Sequence, residues 1–219
     1  MLALAPVRRE QPIVIVALAA HPDDLEIGCA GTLMQMLPSL IQQPGGCEAH
    51  SVVVTGSRER VDEARAAAAE VLGAARAREL SALGFTDGLT PGSWQSVKLA
   101  LRDALDGVRP DWVLAPSRSD SHQDHRLLGE LAWQLFRGAT IWEYEIPKWE
   151  GDLGPQNVYV PLTDLTMHRK VDLLRRHYSS QSEKSWYDEE VFRGLGRLRG
   201  VECGANYAEA FSVRKTIVQ

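Results

Sequence analysis

Short runs of uninterrupted apolar residues alternate along this chain with longer stretches in which apolar residues recur at helical spacing. Ile13 to Ala19, Ser51 to Thr55, Arg78 to Leu83, Trp112 to Ala115 and Thr140 to Glu145 read as strands. Cys29 to Leu40, Arg58 to Gly73, Gln95 to Val108 and Gln123 to Gly138 read as the helices between them. A strand covered on both faces needs apolar side chains at every position, and strand–helix alternation is the pattern of βαβ units. The expectation is an α/β fold with a mostly parallel sheet covered by helices. The Ala-rich body of Arg60 to Leu72 favours helix and meets a suitable C-cap in Gly73.

The pattern changes after Pro147. A loop with Gly151, Gly154 and Pro155 leads to a short strand Val158 to Pro161 and a helix from Asp164 to His177, with Thr163 or Asp164 as N-cap. A helix Trp186 to Leu198 and a last strand Tyr207 to Val213 follow. No linker separates this part, which predicts a lid-like, substrate-shaping extension of one domain spanning residues 1–219.

Charge and cysteine usage narrow the function. At 219 residues with a formal charge of -5, and with arginines dispersed, the chain does not read as a nucleic-acid binder. Cys29, Cys47 and Cys203 show no CxxC spacing, so neither a disulfide framework nor a thiolate zinc site is indicated. The N-terminus puts its apolar residues before Arg8-Arg9-Glu10, the reverse of a signal peptide, and no apolar run is long enough to span a bilayer. A cytoplasmic protein with reduced thiols is expected. Oligomeric state is not legible.

Two clusters carry the chemistry. His21-Pro22-Asp23-Asp24-Leu25-Glu26 follows the first strand, and Ser121-His122-Gln123-Asp124-His125 follows the strand at Trp112. Either alone reads more readily as a satisfied polar residue or a solvated loop. Together, at the ends of two strands, they point to one metal site. Catalytic zinc commonly takes three His or carboxylate ligands and leaves a position for water. His21 and Asp24 supply two, with Pro22 stiffening the turn. His122 or His125 completes the set, and the other is free as an acid or electrostatic group. Asp23, beside Asp24 but facing elsewhere, is the candidate base. His122-x-Asp124 with a distant His also has the spacing of an iron(II) oxygenase triad, a chemistry usually built on all-β folds. Gly28-x-x-Gly31 lacks both GxGxxG and a Walker lysine, and reads as glycines for the start of a helix and for close packing.

The two clusters, with Gly28 to Leu33, Arg60-x-x-Glu63-Ala64, Lys170 to Gln181 and Tyr207 to Phe211, resemble the LmbE-like, or PIG-L, zinc de-N-acetylases. The resemblance implies a Rossmann-like three-layer sandwich. It implies that His21, Asp24 and His125 bind Zn2+, with iron(II) as the alternative ion, and that Asp23 is the general base. It further implies that His122 stabilises the oxyanion or protonates the leaving amine, that Asp124 holds and polarises His122, and that Arg60 binds the sugar. On this reading a cationic His122 faces the oxyanion. The implied activity is removal of the acetyl group from an N-acetylglucosamine-type sugar or its glycoconjugate. An amidase for a thiol or antibiotic conjugate and a non-catalytic metal-binding module are the alternatives. A short loop at Gly56 to Arg58, and Gln123 where relatives carry Pro, depart from the family pattern.

The substrate itself is less legible. Trp142, Tyr144, Trp149, Trp186, Tyr187 and Tyr207 suit sugar rings, though most are expected to pack core or lid. Ser179 to Lys184 and Arg193 to Arg199 offer polar borders for an anionic sugar derivative, or simply a solvated face.

Overall fold

The computed structural model describes residues 9–77 and 80–216. The chain runs β1 (Ile13–Ala19), α1 (Asp24–Ile41), β2 (Cys47–Thr55), α2 (Arg58–Leu72), β3 (Arg76–Ala77) and β4 (Ser81–Phe85). It continues through α3 (Trp94–Ala104), β5 (Trp112–Pro116), α4 (Gln123–Leu135) and β6 (Thr140–Tyr144). Last come β7 (Val158–Leu162), α5 (Asp164–His177), α6 (Glu189–Cys203) and β8 (Tyr207–Val213). The strands form one sheet in the order β3-β2-β1-β5-β6-β8-β7, with β4 sharing the β2 edge with β3. All pairings from β3 and β4 across to β6 are parallel, and β8 is antiparallel to both β6 and β7.

Alternation along β1 explains the layering. Ile13, Ile15, Ala17 and Ala19 join the core beneath α1, α2 and α5, whereas Val16 and Leu18 join the core beneath α3 and α4. Three layers follow from a central strand whose both faces are apolar. Chain order reverses between β1 and β5, so the loops after these strands open a crevice at a topological switch point.

Several boundaries differ from the sequence reading. α1 begins at Asp24, not Cys29, because the chain turns within four residues of β1 and Gly28 sits inside the helix. Gly28 and Gly31 therefore serve close packing and not helix initiation: a Cβ on Gly28 would strike the Tyr144 ring, and one on Gly31 would strike Leu162 and Glu209. β2 starts at Cys47, where the polar residues Glu48 and His50 had broken the apolar run. α3 stops at Ala104, since Gly107 turns the chain through a left-handed conformation at φ 75°, and α4 stops at Leu135, short of Gly138. α6 is displaced to Glu189–Cys203, capped by the Asp188 carboxylate and terminated by Gly204 at φ 79°. The strand expected at Arg78 to Leu83 lies partly outside the described residues, with β4 at Ser81–Phe85. The C-terminal part does more than cover the site, since β7 and β8 extend the sheet itself.

Candidate metal centre

Three loops at the C-terminal ends of parallel strands bring the titratable residues together. They are residues 20–23 after β1, 86–90 after β4, and 117–122 after β5. Thr55 pins the first of these by donating both its N–H and its hydroxyl to the Ala20 carbonyl, at 2.9 and 2.7 Å. The next residues pack His21, Asp23 and Asp24 below the surface. Asp23 is at φ 100°, the one non-glycine residue with positive φ among the described residues. Such a conformation in a non-glycine residue is costly and is retained where the surroundings fix it. Its consequence is that adjacent carboxylates diverge.

Asp24 turns inward. Its Oδ2 accepts the His21 N–H at 2.8 Å and lies 3.2 Å from His125 Nε2 and 3.5 Å from His21 Nδ1. His21 Nδ1 and His125 Nε2 are 3.1 Å apart. Three donor atoms thus form a triangle with sides of 3.1 to 3.5 Å. The edge of a zinc tetrahedron with ligands at 2.0–2.1 Å is about 3.3 Å. His122 adds a third imidazole, its ring centroid 4.8 Å from that of His21 and 4.9 Å from that of His125, and the three histidines form a group able to hold a metal ion.

The far nitrogens of the two triangle histidines are held by carboxylates. His125 Nδ1 is 2.8 Å from Asp120, which also receives Lys148 Nζ at 2.8 Å and the His122 N–H at 2.7 Å. His21 Nε2 is 3.2 Å from Asp124 and 3.1 Å from Asp87. Carboxylates behind ligating imidazoles fix the tautomer and raise ligand basicity. The donor set and its outer partners fit a divalent cation.

Electrostatics agree. Burial alone would lower the His21 pKa, but Asp24 and Asp124 carry it up to about 12. Burial likewise opposes protonation of His125, and Asp24 with Asp120 raise it to about 9. Burial would raise Asp24, yet the two histidines hold it well below the carboxylate range. Four carboxylates around two imidazoles make a pocket that attracts positive charge. Beneath it Glu26 is pushed up by burial to about 8, against the pull of the Tyr178 hydroxyl that donates to it at 2.6 Å.

Two expectations are corrected. Asp124 does not hold His122 through its carboxylate. That group engages His21 and accepts from Gly88 N–H at 2.7 Å and the Thr90 hydroxyl at 2.6 Å. Instead the Asp124 N–H donates to His122 Nδ1 at 3.3 Å, making His122 the N-cap of α4. Burial and the positive charge of its two neighbours also lower the His122 pKa, which disfavours the cationic ring that was expected. With Nδ1 accepting, the neutral ring carries its proton on Nε2.

Arg60 is directed at Asp23. Its Nη2 donates to Pro22 O at 2.7 Å and to Asp23 Oδ1 at 3.1 Å, while Asp23 Oδ2 is buried with no hydrogen-bond partner. Burial raises the Asp23 pKa to about 7, a rise that the Arg60 charge only partly opposes. The nearby rim is tight, since a Cβ on Gly56 (φ 124°) would meet Pro22 at 2.6 Å.

Residues 16–136, more than half of the chain, match the PIG-L family, GlcNAc-PI de-N-acetylase. The chain belongs to the PIG-L family. Membership makes it a de-N-acetylase, a hydrolase of an amide C–N bond. N,N'-diacetylchitobiose deacetylase from Pyrococcus horikoshii is similar in structure, with a TM-score of 0.72 at 24% identity over 92% of this chain and 83% of that one. Teicoplanin deacetylase Orf2, in a zinc-inhibited form, gives 0.71 at 14% identity over 94% and 100%. The 4-carboxy-2-hydroxymuconate hydratase GalB from Pseudomonas putida also gives 0.71, at 16% identity over 94% and 98%, so this fold carries more than one chemistry. No curated protein matches the chain in sequence.

Asp87, Gly88, Thr90, Asp120 and Lys148 join this cluster beyond the residues named from sequence. Asp120 stands next to the second cluster and was open to view as a fourth carboxylate; the others lie in loops without a motif. The aromatic residues divide as expected. Tyr144 is fully buried with its hydroxyl on Leu18 O at 2.7 Å, and Trp142 packs between Trp112 and Phe211. Ser179 and Ser180 bond Glu63, Arg193 pairs with Glu189, and Arg199 with Glu145 and Glu202, so these polar stretches serve the fold. Among the described residues no helix is long and apolar enough to cross a membrane.

Proposed function

We propose that this protein removes the acetyl group from an N-acetyl amino sugar of the N-acetylglucosamine type, or a glycoconjugate of one, using Zn2+ held by His21, Asp24 and His125. The triangle of His21 Nδ1, His125 Nε2 and Asp24 Oδ2 carries this reading, because its sides of 3.1 to 3.5 Å match the spacing that tetrahedral zinc imposes. The family's description as a GlcNAc-PI de-N-acetylase and the diacetylchitobiose deacetylase of the same fold support the sugar class.

A Zn2+ ion held by His21, Asp24 and His125 would supply a Lewis acid for the amide carbonyl and for the attacking water. Asp23 takes the proton of that water through Oδ2, the oxygen left free when Arg60 occupies Oδ1. His122 donates its Nε2–H to the oxyanion as a neutral imidazole. A donor of this kind is typically worth about 3 to 4 kcal/mol. Asp23, now protonated, is placed to deliver the proton without which the amine cannot depart. Asp120 and Asp124 keep the two ligand histidines oriented. The free thiols of Cys29, Cys47 and Cys203 support a cytoplasmic setting.

The test is release of acetate and free amine from N-acetylglucosamine and its glycosides, alongside metal content. Asp23→Asn should keep the metal and lose turnover by at least about a hundredfold, whereas Asp24→Asn should lose the metal. Equal metal loss in both variants refutes the division of roles, and an inert metal-loaded protein across the panel refutes the substrate class.

A further inference from the structure

Lys148 lies in the loop that follows β6, and its ammonium crosses to the loop that follows β5. The side chain is only 7% exposed. Nζ donates to both Asp120 oxygens at 2.8 Å and to Ile146 O at 3.4 Å, with the Asp152 carboxylate at 3.9 Å. Burying a lysine in this way costs desolvation that an exposed pair avoids. Tethering the loop does not call for it, since the Ser121 N–H donates to Asp152 and Arg199 Nη2 donates to Gly154 O at 2.9 Å.

Aiming Asp120 does not call for it either. Oδ1 accepts the His122 N–H at 2.7 Å and Oδ2 lies 2.8 Å from His125 Nδ1, so each oxygen has a donor of its own besides the lysine. What the ammonium adds is charge. Four carboxylates gather at the metal centre: Asp24 in the triangle, Asp87 and Asp124 at 3.1 and 3.2 Å from His21 Nε2, and Asp120 behind His125. They attract a divalent cation, and a positive charge fixed on one of them opposes it.

We propose that Lys148 is a positioning residue that acts through Asp120 by its charge: it holds down the affinity of the centre for a divalent cation and so preserves the Lewis acidity that amide hydrolysis needs. This rests on the zinc hydrolase reading above. Two effects of removing Lys148 oppose each other. Losing the orientation of a ligand histidine weakens metal binding by about 10- to 100-fold. Losing a neighbouring positive charge tightens it. Because Asp120 keeps a donor on each oxygen, the charge effect decides. A cation drawn more strongly to its carboxylates then polarises the substrate carbonyl less.

The experiment titrates Zn2+ into the stripped protein against a competing chelator, which needs no turnover. Lys148→Met should bind Zn2+ about tenfold more tightly than the unsubstituted protein, and Lys148→Arg about equally. Asp120→Asn should bind more weakly, with Lys148→Met/Asp120→Asn between the two single variants. On N-acetylglucosamine and its glycosides, zinc-loaded Lys148→Met should lose about tenfold in kcat with KM little changed, and Lys148→Arg should restore it. Unchanged or weaker Zn2+ binding in Lys148→Met overturns the inference while the zinc site stands. Where Lys148→Met does not fold, the double variant against Asp120→Asn decides, since neither strands a buried carboxylate: tighter binding in the double variant upholds the role, and equal binding overturns it. Tighter Zn2+ binding in Lys148→Met, without hydrolysis by the unsubstituted protein, upholds the role of Lys148 and sinks the proposed chemistry. An unsubstituted protein that binds no Zn2+ sinks the zinc site, and this inference with it.

Discussion

The setting of Asp23, the proposed base, is made by a backbone conformation and by nearby cations, Arg60 foremost. The left-handed turn at φ 100° separates its carboxylate from that of Asp24, and Arg60 offsets part of the cost of burying it. Replacing Arg60 with Met removes the charge that favours the ionised form, so the folded-state pKa of Asp23 rises. Since Asp23 as the proposed base must be deprotonated, the acid limb of the kcat/KM profile should move to higher pH, by about one unit or more. A pH–rate series on Arg60→Met checks this. An unmoved acid limb with a raised KM would show that Arg60 serves the sugar, as the family resemblance implies. His21, Asp23, Asp24, His122 and His125 were legible as residues because two dense clusters of metal-capable types are uncommon. Their pairings were not: Asp124 turned to His21 and Thr90, and His122 took a capping role with a lowered pKa.

Among the elements, α1 matters most, since Asp24 and Glu26 sit in its first turn. An ionised Asp24 there suits the helix dipole. Its position is fixed from the side by a buried ion pair. Lys170 Nζ donates to Ile27 O and to Glu209, both at 2.6 Å, and Glu209 accepts from the N–H groups of Gly31 and Thr32 at 2.9 and 2.6 Å. The pair thus engages Ile27 and Gly31, which are carbonyl and amide one helical turn apart. Lys170→Met leaves Glu209 buried without its cation and should cost about 3 to 5 kcal/mol. Lys170→Met with Glu209→Leu should recover most of that, because no charge is stranded and α1 can satisfy its own backbone. Urea unfolding of both variants decides the matter, and a double variant as unstable as the single one would refute it. The sequence pattern located this helix but started it five residues late, at Cys29, because Gly28 reads as a boundary when the Tyr144 ring that excludes a side chain there is out of view.

The whole molecule joins these parts through its sheet order. Placing β1 beside β5 brings the first cluster against the second, and β4 on the far side of β2 delivers Asp87, Gly88 and Thr90 from a loop with no motif of its own. A metal bound to residues from separate loops binds only the folded state. Stripping it with a chelator should therefore lower Tm by about 5 to 10 °C if the ion is present at about a hundredfold over its Kd. Re-addition should restore Tm, and Asp24→Asn should show no response. Calorimetry on the native, stripped and refilled protein checks this, and an equal response in Asp24→Asn would place the ion elsewhere.

By itself the sequence determined the α/β alternation, the strands whose apolar runs demand cover on both faces, and the two His/Asp clusters at strand ends. Those are local quantities, set by periodicity and by which residue types stand close along the chain. The tertiary structure decided the rest: which histidine faces which carboxylate, that Asp120 supports His125, that Arg60 engages Asp23, and that the His122 pKa is lowered. Partner choice and the direction of each pKa shift depend on distances between loops far apart in sequence, and those distances exist only once the strand order has been set.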